Sequence, residues 1–299
     1  MPSVSQYSIP NQDQTGTHPL RLIDPAVFDP TDGQGFVRFF RDNGYVVVDH
    51  VSQTENRNAV VELMDKVAAD VPQARRLGFM DLYHDDVLAQ MRQNQTLYQV
   101  FADIFAREEL WVVFDRVMYW NSNEGEKPLP PHVDQNPIEH PGFFNVQGML
   151  ALRNMNESTG TLALVPKSHF FFQQYKRWTK PNAGFVEYQG TELLPFVALR
   201  LREGQIVIWD SRTTHSRFRG DPSGTRYAAL LTFTPARNDP SLVDLRLKYY
   251  NEGIGWNNHD AGLRATARPR YEQSLRHSEE NLTSLGRKLY GLDSWFGDK

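Results

Sequence analysis

In the segment "LPPHVDQNP", an imidazole and a carboxylate stand two residues apart, His132 and Asp134. Side chains two apart on an extended strand share a face, so this pair could share a metal ion. A third ligand is available in "GQIVIWDSRTTHSRFRG", which sets His215 beyond an apolar run and a small polar bend, 81 residues after Asp134. Two histidines and one carboxylate cover one face of a metal. The opposite face stays open for a bidentate cosubstrate and dioxygen, which suits non-haem Fe(II) oxygenation. Eleven residues further on, Arg226 heads the strand-like run "TRYAALLTFTP". Its guanidinium could clamp a carboxylate through two parallel hydrogen bonds, anchoring a 2-oxo acid that chelates the metal at its other end. The same three ligands also suit a divalent-metal hydrolase with water in the fourth position, although that reading leaves Arg226 unexplained. A non-catalytic jelly-roll ligand-binding protein would need no converging ligands at all.

Other residues are candidates for the pocket around such a metal. Arg217 shares strand parity with His215, so on a regular strand it points the same way, where a buried cation needs an anionic partner. Together with Arg212 and Arg219 it raises an anionic small-molecule substrate, against the plainer reading of a salt bridge or an exposed arginine. Trp120, Gln147, Met149 and Trp209 are candidate pocket-lining residues, with Gln147 and Met149 on one face of their strand; core packing is the competing fate. His84, in "LYHDDV", reads as part of a solvated helix start rather than a ligand, because Asp85 and Asp86 suit a helix N-terminus. His140 and His169 read as loop or structural histidines.

The chain that must position these groups has 299 residues, with 32 Lys+Arg against 36 Asp+Glu and a formal charge of −4. That balance argues against electrostatic capture of nucleic acid. Hydrophobic residues at 40% supply a sizeable core. The absence of cysteine excludes disulfides, thiolate zinc sites, iron–sulfur clusters and a Cys nucleophile, so any metal must be held by His, Asp, Glu or water. The first thirty residues have no apolar core of the signal-peptide kind, and no stretch approaches a membrane span. A cytosolic protein without a membrane partner, monomeric or homodimeric, is expected.

Residues 1–34 read as an extended surface lead-in, interrupted by Pro10, Pro19, Pro25 and Pro30. Phe36, Phe39 and Phe40 have helical spacing, Gly44 can end that helix, and Tyr45-Val46-Val47-Val48 is strand-like. The capping pattern Ser52-Gln53-Thr54-Glu55, followed by Val60, Val61, Met64 and Val67, predicts a helix from about 53 to 70. Two short helical patterns fill 85–108. From Leu110 to about 235 the texture changes to short apolar runs separated by turn residues and without intervening helices, which predicts an antiparallel barrel or double sheet. The fold class is therefore mainly β with flanking helices. Beyond Pro235 the chain reads as polar and loop-rich, suited to covering the active-site mouth or to a subunit contact. From about 270 helical spacing returns with Leu275, Leu282, Leu285 and Leu289. Residues 35–237 are expected to form the main domain and 238–299 an extension packed on it.

His132-x-Asp134, "NESTGTLALVPKSH", "GQIVIWDSRTTH" and Arg226 in combination, over about residues 35–237, resemble the phytanoyl-CoA dioxygenase family of Fe(II)/2-oxoglutarate-dependent oxygenases. The resemblance implies a double-stranded β-helix (jelly roll, cupin-like) core buttressed by helices. It implies Fe(II) on His132, Asp134 and His215, the distal carboxylate of 2-oxoglutarate on Arg226, and O2 as the other cosubstrate. The implied reaction oxidises an unactivated C–H bond of a small organic molecule and releases succinate and CO2. Hydroxylation is the default outcome; desaturation or oxidative cyclisation of a carboxylate-bearing or amino-acid-derived compound in specialised metabolism is equally compatible. Three positions depart from the family pattern. Pro166-Lys167-Ser168-His169 has lysine where glycine is usual, Leu162 stands where some members have a threonine that helps hold 2-oxoglutarate, and Arg217 stands where serine is common. Asp134 is retained where related halogenases carry a small residue, which disfavours halogenation.

Overall fold

The computed structural model describes residues 18–70, 78–121, 129–181, 183–221, 224–256, 265–267 and 279–297. In chain order its strands are β1 (Leu20–Ile23), β2 (Val27–Phe28), β3 (Tyr45–Val48), β4 (Phe79–Met80), β5 (Leu110–Val112), β6 (Val117–Asn121), β7 (His132–Val133), β8 (Val146–Ala151) and β9 (Thr161–Leu164). They continue as β10 (Val186–Glu187), β11 (Phe196–Leu199), β12 (Ile206–Asp210), β13 (His215–Phe218), β14 (Thr225–Leu230), β15 (Phe233–Pro235), β16 (Gly255–Trp256) and β17 (Ala265–Ala267). The helices are α1 (Gly33–Asn43), α2 (Thr54–Asp70), α3 (Asp86–Arg92), α4 (Gln95–Phe105), α5 (Pro240–Glu252) and α6 (Ser284–Tyr290), with a 3-10 helix over Ser168–Trp178.

Two sheets make the body. The first runs β1-β11-β9-β13-β7-β10 and the second β2-β3-β12-β8-β14-β6-β4. Their central pairings are antiparallel, as short strands joined without crossover helices require. The second sheet is buried on both faces, and its strands show it by alternation. Val46, Val48, Ile206 and Ile208 join the core under the helices, whereas Tyr45, Val47, Val207 and Trp209 join the core between the sheets. Strands covered on both faces read as continuous apolar runs, which is the texture of "YVVV" and "QIVIW".

The helices pack on the outer face of the second sheet. Helix α1 buries Phe36 and Phe40, starts at an Asp32 cap and ends at Gly44, whose φ of +78° is the left-handed conformation glycine adopts without strain. The close approach of the chain there is a second constraint. A Cβ on residue 44 would lie 2.5 Å from both His169 Nδ1 and Thr213 Oγ1.

Two stretches differ from the sequence reading. Part of the lead-in is built into the sheets: β1 pairs parallel with β11 and β2 parallel with β3, and Leu20 is buried. The prolines end strands there without preventing edge pairing. Residues 240–252, read as loop, form helix α5, with an Asp239 cap, Pro240 at the first turn and Gly253 at the left-handed end. Its buried face is Arg246, Tyr249 and Tyr250, so the helical period is carried by residues that do not read as apolar. Arg246 Nη2 donates to the carbonyls of Val112, Leu289 and Tyr290, and its guanidinium lies over the Trp111 and Phe114 rings. That places α5 and α6 in the helix layer rather than at the mouth between the sheets. Leu289 is buried in α6, as its spacing predicts; Leu275 lies outside the described residues.

Lys167, at the family's glycine position, has φ +68°. A non-glycine residue in that conformation costs about 1–2 kcal/mol. Lys167→Gly should therefore raise stability by about 0.5–1 kcal/mol after the greater chain entropy of glycine is counted. Gly44→Ala should lower it by about 1–3 kcal/mol, since strain and overlap coincide. Urea unfolding midpoints moving in opposite directions for the two variants would bear this out.

Candidate metal centre

Strand β7 is only His132–Val133, held between β13 and β10. In the β7–β13 pairing His132 stands directly opposite His215. Directly opposed residues of antiparallel strands project from the same face with their side chains in contact. The two rings accordingly lie 4.3 Å apart, centroid to centroid. Asp134 follows immediately after β7, with its backbone N–H bonded to the Ser211 carbonyl at 3.0 Å, and its carboxylate turns to both rings. Oδ1 is 3.5 Å from His132 Nε2 and Oδ2 is 3.1 Å from His215 Nε2. All three side chains are buried, and one ligand atom from each lies within 4.8 Å of the others.

The backbone selects the tautomers. His132 Nδ1 lies 2.8 Å from the Pro130 carbonyl and His215 Nδ1 lies 3.0 Å from that of Thr213. Only a protonated Nδ1 can bond a carbonyl, so in neutral rings both Nε2 lone pairs point at the carboxylate. Lone pairs and a carboxylate crowded together repel unless a cation or proton sits among them. The donor set, two imidazoles and one carboxylate on one side, fits a non-haem ferrous ion.

The turn before His215 is fastened on several sides. Thr213 Oγ1 donates to the Gly44 carbonyl at 2.9 Å, and Thr214 N donates to Ser168 Oγ at 2.8 Å. Thr214 Oγ1 is also paired with the Tyr175 hydroxyl at 2.7 Å, and burial pushes that phenol upward in pKa. Thus Ser168 of "PKSH" acts on the site through the turn. His169 meets the Arg41 carbonyl, and burial holds its ring below the usual histidine range.

Arg226 is buried on β14 of the second sheet, and its Nη2 reaches across to the Phe218 carbonyl of the first sheet at 2.7 Å. Its Nε faces the Thr159 carbonyl at 3.4 Å. Gly160, φ +73°, makes room for it: a Cβ there would overlap Nη2. Arg217 extends from β13 over the Trp120 ring, its Cζ 4.4 Å from the centroid. Trp120 and Met149 are buried, Met149 in the core between the sheets. Gln147 does not simply line the pocket: its Nε2 donates to Asp134 Oδ2 at 2.5 Å, so it reaches the metal site through the carboxylate. Trp209 packs edge-on to His215 at 5.4 Å.

His84 departs from the sequence reading. It is buried, its Nε2 lies 3.0 Å from the Ile254 carbonyl, and its ring packs on Phe114 and Tyr250. Asp85 caps α3 as its position suggests, while the ring beside it turns into the core. His140 stacks on Phe144. The sequence reading missed Phe185, whose ring is 5.6 Å from that of His132 and 45% exposed. Nothing around it in sequence marks it, because only the β10–β7 pairing brings it to the histidine.

Fold and site together define a jelly-roll protein with two histidines and a carboxylate converging between its sheets. Comparison with known proteins agrees. Residues 40–219 match the family model of phytanoyl-CoA dioxygenase (PhyH), and the chain belongs to that family. It is an Fe(II)/2-oxoglutarate dioxygenase, with iron as its metal and 2-oxoglutarate and O2 as cosubstrates. No curated protein matches the sequence significantly. Among solved structures, the GlcNAc Inducible Gene 2 product of Candida albicans is 14% identical over 92% of this chain and 81% of its own, with a TM-score of 0.68. The epimerase SnoN, in complex with Fe3+, alpha ketoglutarate and nogalamycin RO, is 14% identical over 70% of this chain and 85% of its own, TM-score 0.54. EctD from S. alaskensis with bound Fe is 16% identical over 69% and 78%, TM-score 0.52. At such identities the likeness is one of fold. No helix among the described residues is long and apolar enough to cross a membrane.

Outer hydrogen bonds to a ligating carboxylate typically carry a 10–100-fold effect on metal affinity. Gln147→Leu is expected to weaken Fe(II) binding by about that factor, read by anaerobic competition with a chromophoric chelator. An unchanged affinity would mean that Asp134 is oriented without it.

Proposed function

We propose that residues 35–237 form an oxygenase that oxidises an unactivated C–H bond of a small, carboxylate-bearing organic molecule, with hydroxylation as the default outcome. The observation that carries this is the convergence of His132, Asp134 and His215, with an arginine from the facing sheet buried behind them. Under this reading the three side chains hold Fe(II) and Arg226 holds the distal carboxylate of 2-oxoglutarate. Bound iron with 2-oxoglutarate and O2 supplies the oxidising equivalent, and decarboxylation leaves succinate.

The protein's part is placement. Gln147 and the Pro130 and Thr213 carbonyls keep the ligand atoms pointed inward. The bulk of Met149, Trp209 and Leu164 keeps water from the inter-sheet space. Trp209 Nε1, buried beside His215 without an acceptor among the described residues, offers a donor to a polar substrate. Arg217, half-buried and facing the same space, favours an anionic one. Which C–H bond reacts then follows from how these groups seat the substrate, because reactivity depends on offsets of the order of 1 Å.

Anaerobic addition of Fe(II) and 2-oxoglutarate should produce a weak visible charge-transfer band, and admitting air should release succinate. Arg226→Ala should weaken 2-oxoglutarate binding by at least about tenfold, the value of one charged hydrogen bond. The reading fails if the wild-type protein forms no such band. In a panel of small acids and their methyl esters, acids should stimulate 2-oxoglutarate consumption more than esters do. That preference should be lost in Arg217→Ala; an equal preference in the variant removes the anionic substrate.

A further inference from the structure

Trp120 carries an indole N–H that metal binding does not use. The residue is 3% exposed, and its Nε1 is buried with no acceptor among the described residues. Buried donors are nearly always paired, and leaving one unmade costs about 1–3 kcal/mol, so this one calls for a ligand. The geometry says where that ligand's acceptor lies. Trp120 on β6 is the direct cross-strand partner of Arg226 on β14, so both side chains leave the second sheet on the same face. One long edge of the indole, Cε3 and Cζ3, is pressed against Gly78 beside β4, where a Cβ would overlap it. Nε1 belongs to the opposite long edge. Since β6 lies between β4 and β14, that edge is turned toward Arg226. The face of the ring is occupied by the Arg217 guanidinium.

An acceptor placed beside this N–H sits near two guanidinium groups, and the group that such a field selects is an anion. We infer that Trp120 Nε1–H is a second donor to the distal carboxylate of 2-oxoglutarate, completing with Arg226 the seat for that end of the cosubstrate. Leu162, which packs in the apolar core between the sheets opposite Arg217, has no side-chain donor to give. Trp120 has this role only if Arg226 holds the distal carboxylate of 2-oxoglutarate, as proposed above.

Trp120→Phe removes the N–H and keeps an aromatic face for Arg217. Anaerobic titration of the Fe(II) protein with 2-oxoglutarate, read by the charge-transfer band, should give a Kd raised about tenfold or more. With 2-oxovalerate, which keeps the chelating end and lacks the distal carboxylate, wild type and variant should bind alike. A 2-oxoglutarate Kd that does not change overturns the assignment, and so does an equal penalty for both acids, which would mark a merely structural tryptophan. A wild-type protein that binds 2-oxovalerate as tightly as 2-oxoglutarate defeats the role of Arg226 itself, a separate failure. A second readout needs no variant. In the zinc-loaded, 15N-labelled wild type, one of the six tryptophan indole N–H signals should move downfield and gain protection from exchange with 2-oxoglutarate but not with 2-oxovalerate. No such signal overturns the assignment independently.

Discussion

One antiparallel contact, His132 opposite His215, carries the geometry of the centre. Strand β7 is two residues long, so it has little pairing of its own with which to hold a register. A slip of β7 by one residue would turn the His132 ring to the other face of the sheet, away from His215. The register is secured from outside the strand: Asp134 N on the Ser211 carbonyl at one end, Tyr188 N on the Pro131 carbonyl at the other. Because each ring also bonds a carbonyl two residues away in its own chain, ring rotation is coupled to the backbone. The ligand atoms are placed by main-chain structure, and the side chains around them tune what is already set.

The two sheets divide the chemistry. The first contributes His132, His215 and Arg217, with Asp134 directly after β7. The second contributes Arg226, Trp120, Trp209 and Gln147, and the helices stiffen its outer face. A pocket formed from facing sheets depends on their separation, and Arg226 spans that gap by donating to the Phe218 carbonyl. The same residue is thus a tie between the layers and the candidate anchor for a carboxylate. Such double use is economical, since a buried guanidinium needs several acceptors whether or not a ligand is present. Gly160 gives way to it, which accounts for the glycine in "STGTLAL".

Much of the fold was legible because burial on both faces writes itself as apolar runs, and helix ends write themselves as caps. Gly44 after Phe36, Phe39 and Phe40, and the capping pattern before Val60, were sufficient for α1 and α2. Helix α5 escaped because its buried face is made of Arg246, Tyr249 and Tyr250, residues that carry polar ends while their stems and rings pack. His84 escaped for a related reason. Its acidic neighbours signalled a helix start, and the signal was right for Asp85 and silent about where the adjacent ring would turn.

By itself the sequence determined the chemical types: two imidazoles, one carboxylate and one guanidinium, in contexts of strand and turn that put each where a strand can aim it. These are local properties, set by residue identity and by periodicities of two and about 3.6. Only the tertiary structure decided that His132 stands opposite His215, that Gln147 serves Asp134, and that Trp120 stands opposite Arg226. Each of those depends on which strands become neighbours and in what register. Pairing between strands far apart in sequence is chosen by the whole core at once, so no local stretch of residues records it.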